Sequence, residues 1–379
     1  MEVAVIDSPQ AADSQVTVAL RAHGSLTRHD LAAITGLSMA TVTRAVTRLM
    51  SSGVVAHGGW RPSTGGRPSE LLAYDGAGLR AVGVSVSERG AQGRVITLNG
   101  DIESRDSETF GAQDGPDAKL ACTMALLDRL LAHADGRLCG VGVAVPAVVG
   151  TNGQLTAIHE IGWDRLALGE LMSQHVGMPV IVDNDANCLA LGEHLRGAGR
   201  GVDNVVGLVV SSGLGAGIIA NGQLYRGRHH EAGEIGYLLM ERASLQRLFP
   251  ARGDLELLIG GDRLVAKAAE FGVTSPDLAT LPHLISLGLS RGGAAREFSD
   301  ELLDLTALAV SAMCVVLDPE MVIIGGSGTD EEMAAVIAGV HNRLPGRILR
   351  VPRIEAAALG ADAIVMGAAQ LALPALAQL

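Results

Sequence analysis

The chain has 379 residues, 48% hydrophobic and 18% charged, with a formal net charge of -12. The apolar share excludes a disordered chain, and the length points to two or three domains. The acidic balance excludes a whole-molecule nucleic-acid sponge but leaves room for a local basic patch. Aromatics make up only 2%, so the cores must be packed from Ala, Val, Leu and Ile, and 49 glycines imply many tight turns. Cys122, Cys139, Cys188 and Cys314 show no C-x-x-C spacing and read as small buried hydrophobes in a reducing compartment. Neither a basic start with a long apolar run nor an unbroken apolar run of membrane length is visible, so a cytoplasmic protein with no membrane partner is expected.

In chain order, residues 1–12 lack periodicity and read as a loose end. Val16, Val18, Ala19 and Leu20 begin an amphipathic helix that stops near Gly24. Ser25 or Thr27 caps a second helix, with Asp30 near its start and Leu31, Ala32 and Ile34 on its apolar face. Gly36 ends that helix, Leu37 fills the corner and Ser38 caps the next. Val42, Val46 and Leu49 then recur at i, i+4, i+7 and point inward, which leaves Thr41, Thr43, Arg44, Thr47 and Arg48 outward. Short hydroxyls and arginines on the second helix of such a pair suit a DNA major groove.

Val54 and Val55 start a strand, and Leu71, Leu72 and Tyr74 supply its return. Gly65-Gly66-Arg67-Pro68 between them can lay backbone along a narrow minor groove and insert a guanidinium. The stretch therefore reads as a winged helix-turn-helix. The residues expected on DNA are Ser38, Thr41, Thr43, Arg44, Thr47, Arg48, Gly65, Gly66, Arg67 and Pro68. From Arg21 to Leu72, six arginines face only Asp30 and Glu70, a local basic surplus in an acidic chain. The alternative is a small helical interaction domain with a solvated arginine face.

After a linker at 75–80, Ala81–Val86 reads as a buried strand and Gly93–Leu98 as its hairpin partner. A helix over 116–135 rests on Leu120, Met124, Leu127 and Leu131, followed by a strand at Cys139–Val145. Val180–Val182 is a strand whose end carries Asp183-Asn184-Asp185-Ala186-Asn187, and a helix follows on Leu189, Leu191 and Leu195. Asn204–Val210 runs into the glycine-rich Ser211–Gly217, of the sort that approaches a phosphate closely. A long apolar helix at 297–316, a strand at Met321–Ile324 ending in Gly325-Gly326-Ser327-Gly328, a helix at 331–343 and an Ala-rich helix at Ala361–Leu373 complete the pattern. Two glycine-rich strand ends more than 100 residues apart indicate two similar α/β lobes around a cleft.

These segments, in this order, resemble the ROK family (repressors, open reading frames and sugar kinases) in its winged-helix regulator branch. The resemblance covers about residues 17–379. It is carried by the helix-turn-helix with its GGRP wing, Asn184-Asp185-Ala186-Asn187, Ala232-Gly233-Glu234-Ile235-Gly236, Leu317-Asp318-Pro319-Glu320 with Gly325-Gly326, and Leu359-Gly360-Ala361-Asp362-Ala363. It implies an α/β chain with an N-terminal winged helix-turn-helix and a two-lobed, actin-like or hexokinase-type body. The expected boundaries are 13–75 for the head, 80–190 for the first lobe with 363–379 packing on it, and 191–362 for the second. It further implies homodimers or homotetramers on palindromic double-stranded operators.

Where the kinases of that family carry Asp-Ile-Gly-Gly-Thr, this chain has Ser85-Val86-Ser87-Glu88-Arg89. The aspartate is gone, both glycines carry side chains, and Glu88 puts negative charge where phosphates would lie. The second phosphate segment, usually Gly-Thr-Gly, is the milder Ser211-Ser212-Gly213. Loss of ATP-dependent phosphorylation is expected, so no catalytic residue and no cofactor are assigned. Asp185 would be the base if kinase activity survived. The resemblance also implies a zinc held by a histidine and three cysteines, but Tyr237 stands at the histidine and 241–256 holds no cysteine, so no metal is expected. By resemblance Asn184, Asp185, Glu234, Tyr237 and Glu256 line a sugar site; the alternative is that Asn184 and Asp185 only cap a helix. The expected function is a repressor of carbohydrate-related genes that responds to a sugar or similar polar metabolite. A hexose or N-acetylhexosamine kinase, and a regulator whose body serves only oligomerisation, stand as alternatives.

Overall fold

A computed structural model describes residues 9–62, 68–111, 113–134, 137–156, 161–250, 252–273 and 279–372. The chain opens with three helices, α1 (Pro9–His23), α2 (Arg28–Thr35) and α3 (Met39–Ser51), and an antiparallel pair, β1 (Val55–Arg61) and β2 (Ser69–Tyr74). The helix-turn-helix forms for the local reasons its sequence contains. Thr27 and Asp30 make a reciprocal capping box, Gly36 closes α2 at φ 72, and Ser38 accepts the Thr41 N–H to start α3.

Val42, Val46 and Leu49 are buried as their spacing requires, together with Ala45 and Leu31. Two expectations fail here. α1 starts at Pro9 and buries Ala12, Val16, Ala19 and Leu20, while Val18 is exposed; Ile34 of α2 is exposed as well. Both misplacements come from reading short helices without the neighbour they pack on. Gly65, Gly66 and Arg67 lie outside the described residues.

The body contains two five-stranded sheets of matching topology. The first holds β3 (Leu79–Ser87), β4 (Gly90–Thr97), β5 (Ile102–Thr109), β6 (Arg137–Val145) and β9 (Val180–Asn184), ordered β5-β4-β3-β6-β9. Around it lie α4 (Pro116–His133), a small ribbon of β7 (Val148–Val149) and β8 (Leu155–Thr156), and α5 (Leu168–Val176). From β9 the chain enters α6 (Asp185–Arg196). The second sheet holds β10 (Val205–Val210), β11 (Leu214–Ala220), β12 (Gln223–Leu224), β13 (Met321–Gly326) and β14 (Arg353–Ala356), ordered β12-β11-β10-β13-β14. Each sheet begins as an antiparallel meander of three strands and is extended by two parallel ones. Helices α7 (Asp254–Ile259), α8 (Gly261–Glu270), α9 (Leu281–Arg291), α10 (Gly293–Leu317) and α11 (Asp330–His341) belong to the second half, and α12 (Ala363–Leu371) returns to the first.

Strand β5 was not expected from sequence: its residues alternate half-buried and exposed at the sheet edge and lack an apolar run. The stripe of α4 is also rotated from expectation, with Thr123, Leu126, Leu127 and Leu130 innermost and Leu120, Met124 and Leu131 at the margin. α12 is seated by glycine. A Cβ at Gly83 of β3 would overlap the Val365 carbonyl oxygen, and one at Gly142 of β6 would overlap that of Ala368. The head is not a separate bead: Leu20, Val54 and Leu72 share one apolar cluster with Leu79, Ile96, Leu98, Met366 and Ala369 of the body.

Candidate functional site: a reading head and an interlobe cleft

The exposed face of α3 carries Thr43, Arg44 and Thr47, with Ser38 and Thr41 at its N-terminal turn. Ser38 and Thr41 share a hydroxyl contact of 2.9 Å, and Thr47 Oγ donates to the Thr43 carbonyl. Pro68 is exposed where the wing re-enters β2.

Arg48 differs from the rest of the outward set in being paired: its guanidinium is clasped by both carboxylate oxygens of Asp13 at 2.6–3.2 Å, and its side chain stays 42% exposed. The early start of α1 brings Asp13 into reach. Two more arginines of the apparent basic surplus are also paired, Arg28 with Glu70 and Arg61 with Asp30. These pairs hold the wing against α2. Arg61 holds the Asp30 carboxyl down at about 2, and Arg28 lowers Glu70.

The second site lies between the two sheets, a cleft of about 280 Å³. It gathers all five residues expected on a ligand, Asn184, Asp185, Glu234, Tyr237 and Glu256. β9 delivers Asn184 at the N-cap of α6, where its side-chain oxygen accepts the Ala186 and Asn187 N–H groups and its amide donates to the Ala147 carbonyl at 3.1 Å. The amide is thus occupied by capping and by the end of β6, while Asp185 follows as the first helical residue. Behind them Asp183, 5% exposed, accepts from Asn187 at 2.9 Å and from Arg226 of the second half at 2.7 Å. Sequence reading placed Asp183 in the motif without this cross-lobe role.

Glu234 reaches the cleft because Gly233 takes φ 93 and presses on β11, where a Cβ would overlap the Ala216 carbonyl oxygen. Burial, then the Asp185, Glu256 and Glu231 carboxylates, pushes Glu234 up to about 7. Burial, then the Glu256, Glu234 and Glu231 carboxylates, also raises the Tyr237 hydroxyl. Arg252, unforeseen from sequence, lines the cleft and stands 3.9 Å from Glu256. At the other end are Ser87, Glu88 and Arg89 from the end of β3, Ser211, Ser212 and Gly213 from the β10–β11 turn, and Ser327 after β13. Ser327 Oγ is buried there without a hydrogen-bond partner among the described residues.

The donor set at 237–256 does not fit the zinc that the resemblance implies. Between Tyr237 and Glu256 stands no thiol, and the segment is closed by a carboxylate: buried Asp254 accepts the Met240 N–H at 2.7 Å and the Ser244 hydroxyl at 2.6 Å. Among the described residues no group of three His, Cys, Asp or Glu side chains has the spacing to hold a metal ion. No described helix is long and apolar enough to cross a membrane.

A winged head on a duplicated two-sheet body with a polar cleft defines a class of DNA-binding protein built on a sugar-kinase-like fold. The ROK family profile matches residues 82–375, and a winged helix-turn-helix DNA-binding profile matches 18–56. The chain therefore belongs to the ROK family and is a transcriptional regulator of the ROK type. It is 26% identical to the xylose repressor of Bacillus subtilis over 268 residues, covering 69% of this chain and 70% of the repressor. It is 32% identical to an N-acetyl-D-glucosamine kinase of Escherichia coli, covering 64% of this chain and 84% of the kinase. The solved structure of a ROK family transcriptional regulator, a homolog of the E. coli MLC protein, superposes with a TM-score of 0.79 at 20% identity, over 97% of this chain and 96% of the other.

Proposed function

We propose that the chain represses carbohydrate-related genes and that a sugar or sugar derivative in the cleft alters its affinity for a palindromic operator. The observation that carries this reading is the coexistence of an outward hydroxyl-and-arginine face on α3 with a cleft where Asp185, Glu234 and Glu256 converge. Carboxylates suit a polyol because each can accept from two adjacent hydroxyls. Likeness to a protein named xylose repressor supports both halves. The DNA set we assign is Ser38, Thr41, Thr43, Arg44, Thr47, Gly65, Gly66, Arg67 and Pro68, with Arg48 holding α3 to α1. The ligand set is Asn184, Asp185, Glu234, Tyr237 and Glu256. The head spans 13–75, the first lobe 80–190 with 363–379, and the second lobe 191–362. Assembly is a homodimer or homotetramer, in the cytoplasm.

The reading includes no phosphoryl transfer. Ser87 and Glu88 bring side chains to the end of β3 and line the cleft, where the kinase resemblance calls for glycines against phosphate. Footprinting on the chain's own upstream DNA with and without D-xylose, D-glucose and N-acetyl-D-glucosamine tests the proposal. A protected palindrome whose occupancy changes with one sugar supports it, and no protection by the purified chain refutes it. A kinase is the second reading, favoured by Asp185 facing the cleft and by the kinase relative. ATP-dependent phosphorylation of any of these sugars, abolished in Asp185→Asn, would establish it.

A further inference from the structure

One helix joins the two sites. α6 starts in the cleft with Asn184 and Asp185 and ends at Arg196, twelve residues on, a span of about 18 Å. It is clamped along that length. A Cβ at Gly217 of β11 would overlap the Ala186 carbonyl oxygen, one at Gly367 of α12 that of Cys188, and one at Gly192 that of Ala363. Glu193, fully buried, accepts the N–H groups of Ala198 at 2.8 Å, Ala358 at 3.1 Å and Leu359 at 2.8 Å. Backbone-to-backbone seating of this kind lets a helix shift only as a unit.

At its far end, Arg196 donates to the carbonyls of Leu98 and Asn99 in the turn after β4. The same Leu98 carbonyl accepts the Tyr74 hydroxyl at 3.0 Å, and Tyr74 is the last residue of the wing strand β2. Asn99 Oδ1 accepts the Gly76 N–H at 3.2 Å, and Arg21 of α1 lies over the Tyr74 ring at 5.6 Å. The final residue of the helix that begins in the cleft and the final residue of the wing thus meet on one oxygen atom. Arg196 Nε is buried there without a hydrogen-bond partner among the described residues. Burial, with Arg21 and Arg200 adding, pulls its pKa down to about 10. A cation held by carbonyl dipoles in a half-dry junction is sensitive to small displacements.

We propose that α6 transmits the state of the cleft to the head and that Arg196 is the positioning residue at the junction. The proposal deepens the reading above and rests on a cleft that takes a ligand. A ligand at the N-terminus of α6 biases the helix between two seatings. Arg196 then moves against Leu98 and Asn99, and Tyr74 and the wing follow. Coupling of this kind is worth a factor of about 5–150 in DNA affinity.

The test uses the full chain and the three sugars named above, read by thermal shift and by DNA affinity. Arg196→Gln is expected to keep its DNA affinity and the thermal shift of the active sugar but to lose that sugar's effect on DNA affinity to within about two-fold, against a wild-type factor in the range just given. Tyr74→Phe, which removes only the hydroxyl on the shared carbonyl, is expected to weaken the effect in the same way and serves if Arg196→Gln does not fold. Wild-type coupling in both variants overturns the proposal.

Should no sugar shift the melting temperature, the reading of the cleft fails, and amide exchange of the ligand-free chain decides the relay by itself. Asn184→Ala, at the cleft end, is expected to speed exchange severalfold at 72–76 and 97–101 while 293–317 is unchanged. Faster exchange confined to 184–190 overturns the relay whatever the ligand.

Discussion

The head and the cleft handle charge in opposite ways. In the head, Arg28, Arg48 and Arg61 each face a carboxylate, so the fold neutralises its own surface and leaves Arg44 turned outward on α3. In the cleft, Asp185, Glu234 and Glu256 converge, and burial, with the neighbouring carboxylates adding, raises Glu234 to about 7. A surface that must dock rigidly is best braced in advance. A cavity whose groups repel one another is stabilised by whatever enters it, whether a proton or a ligand whose hydroxyls satisfy the carboxylates. The head is therefore braced in advance, while the cleft keeps its carboxylates close together.

The largest effect is expected from breaking the brace of the head. Leu31 is fully buried in a cluster that runs from α1 into the body, so Leu31→Ala should remove about 2–5 kcal/mol of stability. Because the cluster includes Leu79, Ile96 and Met366, thermal unfolding of the variant should remain a single transition. A separate early transition for the head would show that its contact with the body is dispensable.

Next comes the cleft. Glu234 carries a carboxyl whose folded pKa lies above its ordinary value, so folding favours its protonated form. Its contribution is full below about pH 4.5 and is lost as pH rises through about 7, and the wild-type chain should lose stability across that window. Glu234→Gln should flatten this slope and gain on the order of 2 kcal/mol above neutrality. Equal slopes for the two proteins in urea melts from pH 5 to 8 would mean that neither burial nor the neighbouring carboxylates raise Glu234.

The sequence was most legible where a local rule suffices. Thr27 with Asp30, Gly36 and Ser38 announced the helix-turn-helix, because caps act within four residues. The end of β9 and the turn before Ile235 marked the cleft, since both are motifs a few residues long. What stayed hidden depends on partners distant in sequence. Asp13 pairs with Arg48 across 35 residues, and Asp183 is matched by Arg226 across 43. Strand β5 has no core of its own and exists because β4 offers it a ladder. Arg252 and Arg196 sit at no motif at all. Their roles come from where a loop and a helix end happen to be carried.

A smaller change should follow from removing the outward charge. Arg44→Ala leaves the core of α3 intact, because Arg44 is exposed and its Nε donates to the Ala40 carbonyl of its own helix at 3.3 Å. Loss of about 1–3 kcal/mol of DNA affinity, with relaxed preference at one base pair, is the signature of a base contact. A uniform loss across sequences, with a salt slope shallower by about 1, marks a phosphate contact instead. Unchanged affinity would remove Arg44 from the reading set.

The smallest effect tests the brace itself. Asp30 caps α2 with Thr27 and accepts from Arg61 of the wing at 3.1 Å, and these bonds hold its carboxyl at about 2 against an ordinary 3.8. The depressed pKa means that its contribution is present above about pH 4 and is lost as pH falls through about 2. Asp30→Asn keeps a capping oxygen and removes the charge, so at neutral pH it should cost less than about 1 kcal/mol, within the range of partly exposed pairs. The variant should also lose less stability than wild type between pH 4 and 2. DNA affinity should fall a little more than stability does, because Arg61 is then free to let the wing swing away from α2. If affinity is untouched while stability falls, the Asp30–Arg61 pair braces the fold without positioning the wing, and the head is set in advance by the Arg28–Glu70 and Arg48–Asp13 pairs.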